Sequence, residues 1–193
     1  MVPEQHLTEA DRTFLLALAR QSIEDCANGT SLPSLDLDAL SPLLREQGAC
    51  FVTLTYQGYL RGCVGALEPY QSLAEDVREH AVAAAFQDYR FPPIQAKEIK
   101  EIEIEISYLT RPKILNYENP AELLELLRPN IDGVVVRDGM RRATFLPQVW
   151  EKIPDPEEFL EQLCMKMGVS ADLWRRKMLD VLTYQVEEFH EKR

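Results

Sequence analysis

The chain has 193 residues, 46% hydrophobic and 27% charged, with a formal net charge of −11. That length supports one sizeable core, or a core with a smaller lobe, and the composition is that of an ordinary folded chain. Non-specific nucleic-acid binding and adsorption to an anionic bilayer both need clustered Lys and Arg, so the acidic balance (pI near 4.8) argues against nucleic acid and membrane as partners.

The segment Met1-Val2-Pro3-Glu4-Gln5-His6 has neither a basic stretch nor an apolar one, so no signal peptide is expected. No apolar run reaches the length of a membrane-crossing helix. Cys26, Cys50, Cys63 and Cys164 form no CxxC pair and no close Cys/His cluster along the sequence. Free thiols in a reducing cytoplasm are the simplest reading, without a disulfide framework or a zinc site.

Thr8-Glu9-Ala10-Asp11 carries the signature of a helix start, and Phe14, Leu15, Leu18, Ala19, Ser22 and Ile23 continue it at helical spacing to Asn28-Gly29. Residues 30–48 read as a loop with at most one helical turn. Residues 50–65 read as a hairpin around Gln57-Gly58. Ser72-Leu73-Ala74-Glu75 opens a second helix to about Phe86, whose alanine-rich end can pack closely on a sheet. Asp88–Pro93 is a stiff loop. Ile102, Ile104, Ile106 and Tyr108 alternate with Glu101, Glu103, Glu105 and Ser107, which predicts a strand with one buried and one wet face. Asn119-Pro120 opens a short helix to Arg128, residues 132–145 form a second hairpin, and Pro147–Lys152 is a helical turn. Pro156–Met167 is a helix, and Asp180–Phe189 a last strand. The order lacks a βαβ rhythm, so the predicted class is α+β, a mainly antiparallel sheet flanked by helices.

The stretch Leu60-Arg61-Gly62-Cys63-Val64-Gly65 is the part of the chain that looks built for chemistry. Glycine within a strand packs nothing and marks a bulge or a close backbone approach. Here two glycines flank a thiol, with the Arg61 cation two residues away.

Together with this stretch, several segments in order resemble one family: Ser72-Leu73-Ala74, Ala83-Ala84-Ala85-Phe86 with Asp88, Arg90-Phe91-Pro92-Pro93, Glu103–Leu109, Asp132-Gly133-Val134 and Arg142–Trp150. The chain resembles the AMMECR-type domain family, whose prokaryotic members are called AmmeMemoRadiSam system protein A. Its hallmark LRGCIG appears here with Val64 in place of isoleucine. The resemblance implies a single AMMECR-type domain over residues 1–193, with a main antiparallel sheet, a smaller lobe and both termini in the main lobe. It also implies a Memo-like protein and a radical-SAM enzyme as partners. It implies no reaction.

Cys63 is the candidate catalytic residue, as a nucleophile or a covalent carrier. The alternative is a buried small hydrophobe in a strand whose glycines admit a helix. A thiol catalyst needs a base, usually histidine; His6 and His190 are terminal, and His80 reads as a solvated residue of the second helix. Gly62, Gly65, Asp88 and Arg90 complete the candidate ligand site around Arg61. Arg90 and Asp88 either bind a polar ligand or close the loop on themselves. Arg142 and Thr144, on one strand face, could extend an anion-binding patch with Arg61 and Arg90, or the arginines could pair with Glu101, Glu103 and Glu105. That glutamate row reads as a wet sheet face, and no metal or cofactor is expected. Trp150, Trp174, Cys26, Cys50 and Cys164 read as core.

Two functions follow. One is an accessory or binding module presenting the Leu60–Val64 strand and the Asp88–Pro93 loop to a partner. The other is a Cys63-dependent enzyme acting on a small anionic metabolite.

Overall fold

A computed structural model describes residues 6–191. In chain order the helices are α1 (Glu9–Asn28), α2 (Pro42–Arg45), α3 (Leu73–Phe86), α4 (Leu123–Leu126), α5 (Pro156–Lys166) and α6 (Leu173–Arg176). The strands are β1 (Gln47–Tyr56), β2 (Tyr59–Gly65), β3 (Gln71–Ser72), β4 (Ile102–Leu109), β5 (Lys113–Ile114), β6 (Gly133–Asp138), β7 (Arg141–Phe145), β8 (Asp180–Tyr184) and β9 (Val186–His190). The fold is α+β. The chain divides into two units: one runs to Leu109 and resumes at Glu187, and the other is Thr110–Val186.

The first unit is built on a sheet of order β2-β1-β4-β9, with β3 pairing the start of β1. α1 begins where the sequence placed it. The Thr8 hydroxyl accepts from the Asp11 backbone N–H while Asp11 accepts from the Thr8 backbone N–H, and Gly29 ends the helix at φ 68°. The β1–β2 hairpin turns through Gln57 and Gly58, both at positive φ. Ser72 caps α3 by accepting from the Glu75 N–H. Val52, Leu54, Ile102, Ile104 and Ile106 from the sheet, Leu15 and Ile23 from α1, and Leu73, Val77 and Ala81 from α3 fill one core.

The second unit has its own sheet, β5-β8-β6-β7, antiparallel throughout. Its core holds Leu123, Val134, Val136, Phe159, Leu163 and Trp174 around Trp150. Trp150 stacks on Phe159 at 3.6 Å between ring centres and donates through its indole N–H to the Asp132 carbonyl at 2.7 Å. The ends of this unit are tied together: the Thr110 N–H donates to the Gln185 carbonyl and the Gln185 N–H donates to the Thr110 hydroxyl, both at 2.8 Å.

The structure corrects several expectations. A 3-10 turn at Leu37–Ala39 and α2 occupy the predicted loop, and β1 begins at Gln47. The strand expected over Asp180–Phe189 is broken at Gln185 into β8 and β9, which belong to different sheets. Among the described residues there are two antiparallel sheets, in keeping with the predicted α+β class. Cys26 is half-buried in α1 rather than core, whereas Cys50 and Cys164 are fully buried.

Candidate functional site

Three antiparallel strands set out the candidate site. Thr53 on β1 lies opposite Cys63 on β2 and opposite Glu105 on β4, so these three form one row across the sheet. Residues directly opposite share a face. Gly62 and its partners Leu54 and Ile104 form the adjacent row, on the other face, where α3 packs. The two glycines therefore serve opposite faces. A methyl group at Gly62 would lie 2.1 Å from the Ala84 carbonyl oxygen of α3, while one at Gly65 would meet the Phe51 ring at 2.5 Å and the Cys50 carbonyl at 2.4 Å. Gly62 admits the helix; Cys63 points away from it. The Thr53 hydroxyl donates to the Cys63 sulfur at 3.4 Å, and the thiol is half-buried.

β2 is an edge strand, and its outward backbone groups at Cys63 are met by the loop after α3. The Cys63 N–H donates to the Asp88 carboxylate at 2.9 Å, and the Arg90 guanidinium donates to the Cys63 carbonyl at 3.0 Å. The Arg90 guanidinium also grips Asp88 by two bonds, 2.9 and 2.7 Å long. These bonds, Arg90's foremost, hold the Asp88 carboxyl well below the usual carboxylate range and push the Arg90 guanidinium up. One register step breaks between Leu54 and Thr55, which leaves Arg61 as an extra residue on β2. Arg61 reaches the same loop. It pairs with Glu98 through bonds of 2.9 and 3.2 Å and donates to the Pro92 and Pro93 carbonyls at 2.7 and 3.3 Å. The Arg61 hydrogen bonds depress the Glu98 carboxyl, which is 9% exposed.

Arg61, Gly62, Cys63, Asp88 and Arg90 are thus brought together with Gly65 two residues on. The anions that Arg61 and Arg90 hold are protein carboxylates, one each, and neither arginine takes Glu101, Glu103 or Glu105 as its partner. Arg142 and Thr144 belong to the second unit, where Arg142 is exposed and the Thr144 hydroxyl lies 3.1 Å from that of Tyr184. Sequence reasoning missed Thr53 and Glu98, and placed Glu105 only in a wet sheet face. Glu98 lies 37 residues from its partner, and no local pattern announces it. Burial raises the Glu105 carboxyl, with Glu188 adding repulsion.

His80 is also corrected. It is buried, 3.2 Å through Nδ1 from the Asp76 carboxylate and 3.9 Å from the Cys50 sulfur. Leu73, Val77, Ala81 and Ala84 make a buried stripe at spacings that include position 80, and that signal placed it inward. Among the described residues no histidine bonds the Cys63 sulfur. Among the described residues, Cys50, Asp76 and His80 form a group whose side chains could hold a metal ion, their ligand atoms all within 4.8 Å of one another. A groove elsewhere in the first unit is lined by Arg12, Arg20, Lys100 and Phe189, but its arginines are paired with Glu187 and Glu191.

The AMMECR1 family model matches residues 16–189. A protein of Methanothermobacter thermautotrophicus is 38% identical over 190 residues, covering 96% of either chain. One of Methanocaldococcus jannaschii is 34% identical over 192 residues, 96% of this chain and 92% of the other. The crystal structure of an uncharacterized protein from Pyrococcus horikoshii superposes with a TM-score of 0.73 at 31% identity, over 96% of this chain and 94% of that one. The stretch around Cys63, the clamped loop behind it and a family match that runs through both units agree: the chain belongs to the AMMECR1 family.

Proposed function

We propose that the protein is a cytoplasmic accessory module that binds a protein partner through β2 and the Asp88–Pro93 loop. One observation carries this reading. The charged groups of the site are spent on holding loop to strand, while Tyr59, Leu60 and Tyr89 stand out at 79%, 44% and 96% exposure. Large apolar side chains on a stiff support suit a protein interface better than a small-ligand pocket. The partners implied by the family are a Memo-like protein and a radical-SAM enzyme. Calorimetric titration of either with this chain tests it. Tyr89→Ala and Leu60→Ala should each weaken binding about tenfold, the scale of an interface anchor, and Met140→Ala in the second unit should not. Failure of both proteins to bind removes the reading.

A Cys63-dependent enzyme for a small anionic metabolite is the second reading, favoured by the Thr53 hydroxyl at the Cys63 sulfur. It requires an accessible thiol. Under limited iodoacetamide treatment of the folded protein, Cys63 and the half-buried Cys26 should label. Cys50 and Cys164 should not, because burial shields both and pushes their thiols up. Mass mapping that finds Cys63 unmodified ends this reading.

A further inference from the structure

A second group of reactive side chains lies apart from Cys63, between the start of β1 and the first half of α3. Asp76 and His80 are one turn apart on α3, and Cys50 projects from β1 toward them. All three are buried, Asp76 and Cys50 completely. His80 Nδ1 faces both partners, 3.2 Å from Asp76 Oδ2 and 3.9 Å from Cys50 Sγ.

Two observations point to a cation-binding arrangement. The first is charge. Asp76 is a fully buried carboxylate, and among the described residues no lysine or arginine pairs with it. It accepts from the Cys50 N–H at 2.9 Å and from the Gln71 amide at 3.4 Å, with His80 Nδ1 3.2 Å away. A buried carboxylate normally has a strong positive partner. The second is spacing. Zinc–ligand bonds of about 2.0–2.3 Å at tetrahedral angles put neighbouring donor atoms about 3.4–3.6 Å apart. The separations from His80 Nδ1, 3.2 and 3.9 Å, bracket that range, and the sulfur and the carboxylate oxygen lie within 4.8 Å of each other. The Cys50 N–H and the Gln71 amide, donating to Oδ2 and Oδ1, fix the carboxylate in place, as outer-shell donors do in metal sites.

We infer that Cys50, Asp76 and His80 form a binding site for one borderline divalent cation of the zinc class. Thiolate, imidazole and carboxylate together favour such an ion over magnesium or calcium. On binding, the thiol gives its proton to solvent and the ion takes its place between sulfur, ring nitrogen and carboxylate oxygen. Gln71, half-buried, and Tyr70, half-exposed and edge-on to His80 at 6.4 Å between rings, are the more exposed neighbours of the three side chains.

Cobalt is the probe. The whole protein, chelator-treated and kept reduced, is titrated with Co²⁺ and watched for sulfur-to-cobalt charge-transfer absorption in the near ultraviolet. The expected result is a band saturating at one ion per chain and abolished by Zn²⁺, which binds such sites more tightly. Cys50→Ala should remove it, as should Cys50→Ser, which keeps the volume if alanine impairs folding. His80→Gln should weaken cobalt binding about tenfold or more, and Cys63→Ala should leave the band intact. No band in the native protein, a band that survives both Cys50 variants, or a band lost in Cys63→Ala overturns the inference.

Discussion

A hydrogen in place of a methyl group at Gly62 is what allows α3 to lie against β2. The Ala84 carbonyl sits where a Cβ would be, at 2.1 Å, and the obstructing atom is backbone, so no rotamer change relieves it. Gly62→Ala should therefore destabilise the protein by about 3 kcal/mol, the upper part of the range for forced overpacking. Urea unfolding measures this, and a loss within about 0.5 kcal/mol, as for an innocuous surface change, would show that helix and strand can part at little cost. β-propensity alone forecasts no harm at this position, because propensity describes the pleated surface and not what packs on it.

At the scale of the element, the loop after α3 works as a strap on the edge of the sheet. Asp88 and Arg90 satisfy both backbone groups of Cys63, and Arg61 with Glu98 fastens the loop a second time. Asp88→Ala leaves the Cys63 amide without its acceptor while Arg90 returns to water, so it should cost about 2 kcal/mol. Amide hydrogen exchange at Cys63 should quicken in that variant. The pH dependence has a definite sign. The Asp88 carboxyl is lowered in the folded state, so its stabilisation is complete above the ordinary aspartate value of about 3.9 and is lost as pH falls below it. Stability curves of native protein and Asp88→Ala should run parallel above about pH 5 and converge in acid; curves that stay parallel throughout would mean the carboxylate does not hold the strap.

Legibility in the sequence followed the range of the interactions. The caps at Thr8 and Ser72 and the alternation of Ile102 to Tyr108 are local, and they were readable. The break at Gln185 was not, because apolar alternation runs on through it while the pairing partner changes from β6 to the first unit's sheet. The residues of the candidate site were recognisable around Gly62-Cys63. Their division of labour was not, since it depends on Glu98 and Thr53, whose contacts are made across the fold.

Across the whole molecule, the chain interrupts one unit to build another. Thr110–Val186 has its own core around Trp150, and Thr110 and Gln185 bond each other where the segment begins and ends. Adjacent ends and a separate core are what an independently folding unit needs. Residues 110–186 expressed alone should give a single cooperative thermal transition with native-like circular dichroism; a chain without such a transition would show that its core needs the first unit. The strap on β2 has a consequence at this scale too. A bare edge strand is a template on which another chain can add by backbone pairing, and copies of one protein can grow together that way. At Cys63 that template is already occupied by Asp88 and Arg90, so an extended peptide finds no amide or carbonyl to pair with there, and whatever docks must read side chains. The same two residues that shape the site thereby close the strand edge at Cys63 to backbone pairing.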